Sequence, residues 1–370
     1  MYTLTETAPA ATCAKALEPQ ERRDIRELTL DELAATLASE GEPPFRARQV
    51  MHWIWRRGAG DFNALTNVSP RLREYLKLSF RIGSFRSVQV LRSADGTRKL
   101  VVTLTSGERI ETVVIAAADR LTLCLSTQAG CAMGCAFCAT ARMTLRSNLS
   151  TSEILGQIMV ARSVLEPGEQ LTNYVFMGMG EPLANYPRLS RALTVMTAQW
   201  GLGISARRIT VSTVGLVPMM ERLLAEFPVN LAVSLHATDD ATRTAIVPVN
   251  RRWPLRELFE ACRRLPLARR RRITFEYVLL AGVNDSPEEA RRLVKLLAPL
   301  RAKVNLMRFN PFAGAPFKSS SREVIERFQG ILQQGNLTAT MRESRGQDIG
   351  AACGQLYTQS KLLGRDEAAS

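Results

Sequence analysis

Cys131-Ala-Met-Gly-Cys135-Ala-Phe-Cys138 puts three thiols on one short segment of a 370-residue chain that has seven cysteines in all. Thiolates are the usual ligands of iron–sulfur clusters, and three of them on a four-iron cube leave one iron open to a further ligand. Zinc would ask for a fourth Cys or His close by, and the two histidines, His52 and His236, lie far off in sequence. One [4Fe-4S] cluster on Cys131, Cys135 and Cys138 is the expectation; zinc, or three buried structural cysteines, are the alternatives. Disulfide frameworks belong to small secreted chains with even cysteine counts, so the odd count here argues for a reducing compartment.

A strand-like run over 121–126 leads into the cysteines. Further runs cover 173–176, 208–212, 230–234, 273–279 and 304–308, with helix-like stretches between them, among them 152–165, 217–226 and 287–297. Six βα alternations predict an α/β fold, a parallel sheet with helices outside, open or curled into a partial (β/α)6 barrel. In such sheets chemistry sits at the C-terminal strand ends. There fall Gly178-Met-Gly180-Glu181-Pro182, Ser212, Ser234-Leu235-His236 and Asn310. The 178–182 element lacks the third glycine of a dinucleotide fingerprint, and singly each polar residue reads as an ordinary loop residue.

Residues 1–27, with Pro9 and Pro19 and no sustained periodicity, are expected to be unstructured. Residues 28–82 read as a small helical accessory domain. Thr29 and Glu32 form a capping box ahead of Leu30, Leu33 and Leu37; a second helix covers 46–55, and Ser69-Pro70 opens a third. A β-rich connector over 83–118 carries hairpin signals at Asp95-Gly96 and Ser106-Gly107. The barrel is expected over 119–345 and a C-terminal segment over 346–370.

No run approaches the roughly 20 apolar residues of a membrane span, and the N-terminus lacks a signal-peptide layout. A soluble, cytoplasmic monomer is the expectation. Lys and Arg outnumber Asp and Glu by 49 to 35, a formal charge of +14, which suits a polyanionic partner. Arg207-Arg208, Arg251-Arg252, Arg263-Arg264 and the run 269–272 carry part of that surplus, although solvated faces would look the same.

The cysteine spacing after a first strand resembles the radical S-adenosylmethionine (SAM) superfamily. The resemblance implies that the open iron binds the amino and carboxylate groups of SAM. It also implies that Gly180, Glu181, Ser212, Ser234, Leu235, His236 and Asn310 contact SAM. From about residue 28 onward the chain resembles, more narrowly, the RlmN/Cfr family of adenosine-methylating radical SAM proteins, with its RlmN branch the closer. The residues carrying this are Phe45-Arg46-Ala47-Arg48-Gln49, the cluster loop, 178–182, 234–237 and Ala352-Cys353-Gly354-Gln355. Leu145-Arg146-Ser147-Asn148-Leu149 and Phe309 depart from the family pattern away from the chemical residues.

That likeness gives two further cysteines a meaning; alone, each would be a small buried hydrophobe. It implies methylation of C2 of adenosine in 23S ribosomal RNA, at the peptidyl-transferase centre, and of the adenosine next to the anticodon in transfer RNA. An amidine carbon is electron-poor and resists direct methyl transfer, so a cofactor-borne radical route is needed. By resemblance, Cys353 takes a methyl group from one SAM and a second SAM supplies the radical. RNA becomes tied to Cys353 through the methylene, Glu111 accepts the ring proton, and Cys124 resolves the adduct as a disulfide. Flavodoxin or ferredoxin is the implied electron donor. Alternatives are a Cfr-like C8 methyltransferase and a non-catalytic iron–sulfur RNA-binding regulator; the latter leaves Cys353 and Glu111 unexplained. Cys13 and Cys262 match nothing catalytic.

Overall fold

The computed structural model describes residues 22–83 and 85–357. Residues 1–21, most of the stretch expected to be unstructured, lie outside the described residues, and Cys13 with them. Two compact units divide the chain, Met1–Gly83 and Ser84–Ser370. No described helix is long and apolar enough to cross a membrane.

In the first unit α1 (Leu30–Ala38) starts at Thr29 with both halves of the capping box made. α2 (Phe45–Trp55) and α3 (Pro70–Ser79, capped by Ser69) follow. Leu33, Leu37, Val50, Ile54, Trp55, Leu72 and Leu76 form its core, while Arg48, Arg56 and Arg57 remain exposed. Regular structure is present ahead of residue 28, where periodicity predicts none. Arg23–Asp24 pairs in parallel with Phe80–Arg81, and Ile25 is fully buried. Asp24 caps the following turn and holds Arg26 at 2.7 Å. One apolar side chain and a local ion pair give a segment too short to show a period.

The second unit is built on one ten-stranded sheet. β1 (Phe85–Arg92), β2 (Arg98–Leu104) and β3 (Arg109–Ala117) form the antiparallel meander, and β4 (Arg120–Cys124) continues it antiparallel to β3. The β-rich connector is therefore no separate layer; its strands extend the barrel sheet. From β4 the sheet runs in parallel through β5 (Leu171–Phe176), β6 (Ile209–Thr213), β7 (Asn230–Ser234), β8 (Ile273–Leu279) and β9 (Ala302–Arg308). A further strand, β10 (Ala339–Arg342), pairs in parallel with β9.

The crossovers are α4 (Thr151–Ser163), α5 (Tyr186–Thr197), α6 (Val217–Glu226), α7 (Asp240–Ile246) with α8 (Leu255–Arg264), α9 (Pro287–Leu297) and α10 (Arg322–Gln334). The sheet begins at β1 and ends at β10, so the barrel is partial. In β8 Ile273, Phe275, Tyr277 and Leu279 are buried on one side, whereas Glu276 and Val278, offset by one residue, turn to an interior cavity.

Candidate active site

The C-terminal ends of the parallel strands surround a cavity of about 160 Å³. Cys131, Cys135 and Cys138 reach it from the loop after β4. That loop is fixed by main-chain bonds: Ala136 N–H donates to Ile246 O (3.0 Å) and Ala139 N–H to Gly354 O (2.7 Å). Burial pushes the Cys131 thiol up to about 11, Cys135 well above its ordinary value, and Cys138 upward. Ligation must therefore expel protons. The donor set fits an iron–sulfur cluster: three soft sulfur donors share one cavity lining, and the Cys138 sulfur is met by N–H groups of Ala141 and Thr140, the hydrogen bonding that tunes cluster thiolates. Among the described residues no three His, Cys, Asp or Glu converge on a single-ion position.

The turn after β5 brings Gly180 and Glu181 to the same cavity. A Cβ on Gly178 would stand 2.6 Å from Ser126 Oγ, and one on Gly180, at φ +97°, 2.5 Å from Gln128 Cβ. Both glycines thus let this turn press against the segment entering the cluster loop. Glu181 is buried and accepts N–H bonds from Leu183 (3.0 Å) and Val214 (2.9 Å); burial pushes its carboxyl up to about 7. A cationic group beside it would bring that value down.

Ser212, Ser234, His236 and Asn310 also line the cavity. The His236 ring accepts from Val278 N–H at Nδ1 (3.0 Å), which leaves the proton of the neutral ring on Nε2. Burial, then the Arg243 charge, pushes it down to about 3, so it stays neutral. The Leu235 side chain is fully buried and is not part of the cavity lining. Asn310 Nδ2 donates to Cys353 O (3.1 Å), and its Oδ1 accepts from Gln347 (2.8 Å). It holds the C-terminal loop.

Cys124, at the end of β4, and Cys353 line the same cavity and are both free thiols. Burial, and secondarily the Cys353 sulfur, pushes Cys124 up to about 12, with Arg342 opposing. Cys353 is exposed, and desolvation raises its thiol as well, again opposed by Arg342. Glu111 on β3 stands outside the cavity lining. Its Oε1 lies 3.2 Å from Lys99 Nζ and its Oε2 accepts Tyr357 N–H at 3.1 Å. Burial raises its carboxyl; Lys99 works against that.

Two charged residues of this neighbourhood carry no signal in the sequence. Arg243, fully buried, donates to Val214 O (2.8 Å), Ser234 O (3.1 Å) and Leu235 O (3.1 Å), bracing the ends of β6 and β7. In sequence it looks like any helix-surface arginine. Lys99 also donates to Gly350 O (3.3 Å), joining β2 to the cysteine-bearing loop; one basic residue in an alternating strand is unremarked by any pattern. Of the basic run, Arg271 and Arg272 bond Asn230 and Thr338, while Arg269 and Arg270 are exposed.

Residues 125–294 match the model of the radical SAM superfamily, and residues 23–82 that of the ribosomal RNA large subunit methyltransferase N-terminal domain. The dual-specificity RNA methyltransferase RlmN of Desulfosudis oleivorans is 49% identical over 350 residues, 94% of each chain. The chain belongs to the RlmN family. RlmN of Anaeromyxobacter dehalogenans is 50% identical over 342 residues, 91% of this chain and 92% of the relative. A crystal structure of a radical SAM methyltransferase from Sphaerobacter thermophilus superposes with a TM-score of 0.87 at 46% identity, covering 91% of this chain and 100% of that one. Membership implies SAM and a four-iron cluster, the groups that the cysteine loop fits, and confirms the partial radical SAM barrel.

Proposed function

We propose that the protein methylates C2 of adenosine in ribosomal RNA and in transfer RNA, through an S-methylated Cys353 and a covalent RNA–enzyme intermediate. The observation that carries this reading is that two free thiols, Cys124 and Cys353, share one cavity with the three cluster cysteines. A radical SAM enzyme that handled only its cofactor would have no use for that pair. Family membership favours C2 over C8 and makes RNA the substrate.

Cys131, Cys135 and Cys138 would hold the cluster, and SAM bound there would supply both a methyl group and, on one-electron reduction by a flavodoxin- or ferredoxin-like donor, a hydrogen-abstracting radical. Two SAM molecules are consumed per turnover. Glu181, after β5, and His236, after β7, would bind and orient SAM from the same rim of the sheet. Cys353, losing its proton, takes the methyl group; its methylene later bonds the adenine carbon. Glu111 accepts the proton that leaves the ring. Once the adduct radical has given its surplus electron back to the donor system, Cys124 attacks the Cys353 sulfur, closing a disulfide as the sulfur–methylene bond breaks. The bond's electron pair stays on the methylene, which takes up a proton to become the product methyl group, and a two-electron reductant reopens the disulfide. The charge of Arg342 beside both sulfurs favours the thiolates these steps need.

Nucleoside mass spectrometry of ribosomal and transfer RNA from a deletion strain tests the reading. Loss of 2-methyladenosine from both, restored by the gene, is expected; loss of 8-methyladenosine would move the protein to the Cfr-like activity. RNA engagement has its own test. Replacing Arg269 and Arg270 by Ala should reduce the slope of log affinity against log salt by roughly 0.7 to 0.9 for each phosphate no longer neutralised. SAM cleavage without RNA should stay as in the parent. An unchanged slope would mark both as solvated surface.

A further inference from the structure

His236 is one of two non-glycine residues with positive φ among the described residues, at +60°. The other, Asn336 at +59°, follows the end of α10, where asparagine commonly takes this conformation. His236 has no such local reason. It lies at the end of β7, 2% exposed, with its ring edge-on to Phe137 at 4.5 Å. A histidine backbone in this region persists only where surrounding structure over-determines it.

Asn284 supplies that structure. Wholly buried in the turn after β8, it uses every polar atom of its side chain. Nδ2 donates to His236 O (2.7 Å) and to Val278 O (2.8 Å), and Oδ1 accepts Leu280 N–H (2.7 Å). Val278 in turn gives its own N–H to His236 Nδ1 (3.0 Å). One residue thus grips the carbonyl of His236 and both carbonyl and follow-on amide of the strand end that fixes the imidazole. A second layer, the Tyr277 hydroxyl with its one proton shared between Asn284 O (3.0 Å) and Glu289 Oε2 (3.2 Å), secures the turn from the helix side.

We infer that Asn284 is a positioning residue for SAM binding, holding His236 in its strained backbone so that the imidazole offers a single donor, Nε2–H, to the cavity. The inference rests on the reading of His236 as a SAM contact. It adds that affinity for SAM depends on a side chain that does not line the cavity at all.

Two histidines in the chain make the test direct. In the reconstituted full-length protein, histidine-selective ¹⁵N NMR should report His236 as the Nε2–H tautomer. Asn284→Ala should mix the tautomers and raise the Kd for SAM about tenfold, the loss expected for a buried hydrogen-bond pair. Asn284→Asp keeps the bond from Leu280 but sets an oxygen against two carbonyls, and should do the same should the alanine variant fold poorly. Tyr277→Phe, which touches only the outer layer, should lower Tm and leave both readouts at parental values. Parental SAM affinity and tautomer in a folded Asn284 variant, or equal effects from Tyr277→Phe, would overturn the inference. His236→Ala separates the two levels. If it binds SAM as tightly as the parent, the SAM-contact reading fails; if it binds weakly while Asn284 variants bind normally, only the positioning role fails.

Discussion

Cys124→Ala protein is expected to be purified with RNA covalently attached through Cys353. Cys124 ends β4, is buried, and lines the same cavity as Cys353, whose sulfur, secondarily to burial, acts electrostatically to raise its thiol. As mere packing, its truncation would cost about 1 kcal/mol and leave methylation intact. As the resolving thiol, its loss leaves every earlier step in place: Cys353 is still methylated, the methylene still forms and still bonds adenine. Release alone is blocked. The variant should show a nuclease-sensitive mass increase or a slower gel band, with little free methylated product. Cys353→Ala should show no adduct, since the sulfur that carries the methyl group is gone. The double variant should match Cys353→Ala, because ordered steps do not add. A Cys124→Ala enzyme that turns over freely and carries no RNA would sink the two-cysteine mechanism.

Replacing any one of Cys131, Cys135 and Cys138 by Ala should abolish the brown chromophore and bring reductive SAM cleavage below detection, while the chain still folds. The loop does not depend on metal for its path alone. Cys138 N–H bonds Cys135 O (3.1 Å), and the bonds to Ile246 and Gly354 tie it to its surroundings. Far-ultraviolet circular dichroism should therefore stay close to the parent. Iron and sulfide analysis of the anaerobically reconstituted parent should give four of each per chain, the composition that three thiolate ligands and one open iron support. A protein carrying zinc alone with full activity would overturn the cluster assignment.

Much of this architecture is legible in the chain. The capping box at Thr29, the proline after Ser69 and the hairpin signals at Asp95-Gly96 and Ser106-Gly107 act within a few residues, and each element forms where its signal stands. The cysteine spacing and the polar residues at successive strand ends converge because parallel topology delivers those ends to one rim.

Long-range pairing decides the rest. β10 is four residues with no distinctive pattern, and only the open edge of β9 makes it a strand. The connector merges with the barrel because the two-residue link Ala118–Asp119 lets β3 pair with β4. Arg243, Lys99 and Asn284 read in sequence as surface or turn residues. They are buried because carbonyls and a carboxylate from distant segments meet there and need donors. Local chemistry is written in neighbouring residues and determines where elements and ligands lie. The polar bracing that fixes the reactive groups joins residues brought together only by folding, and no window along the chain contains it.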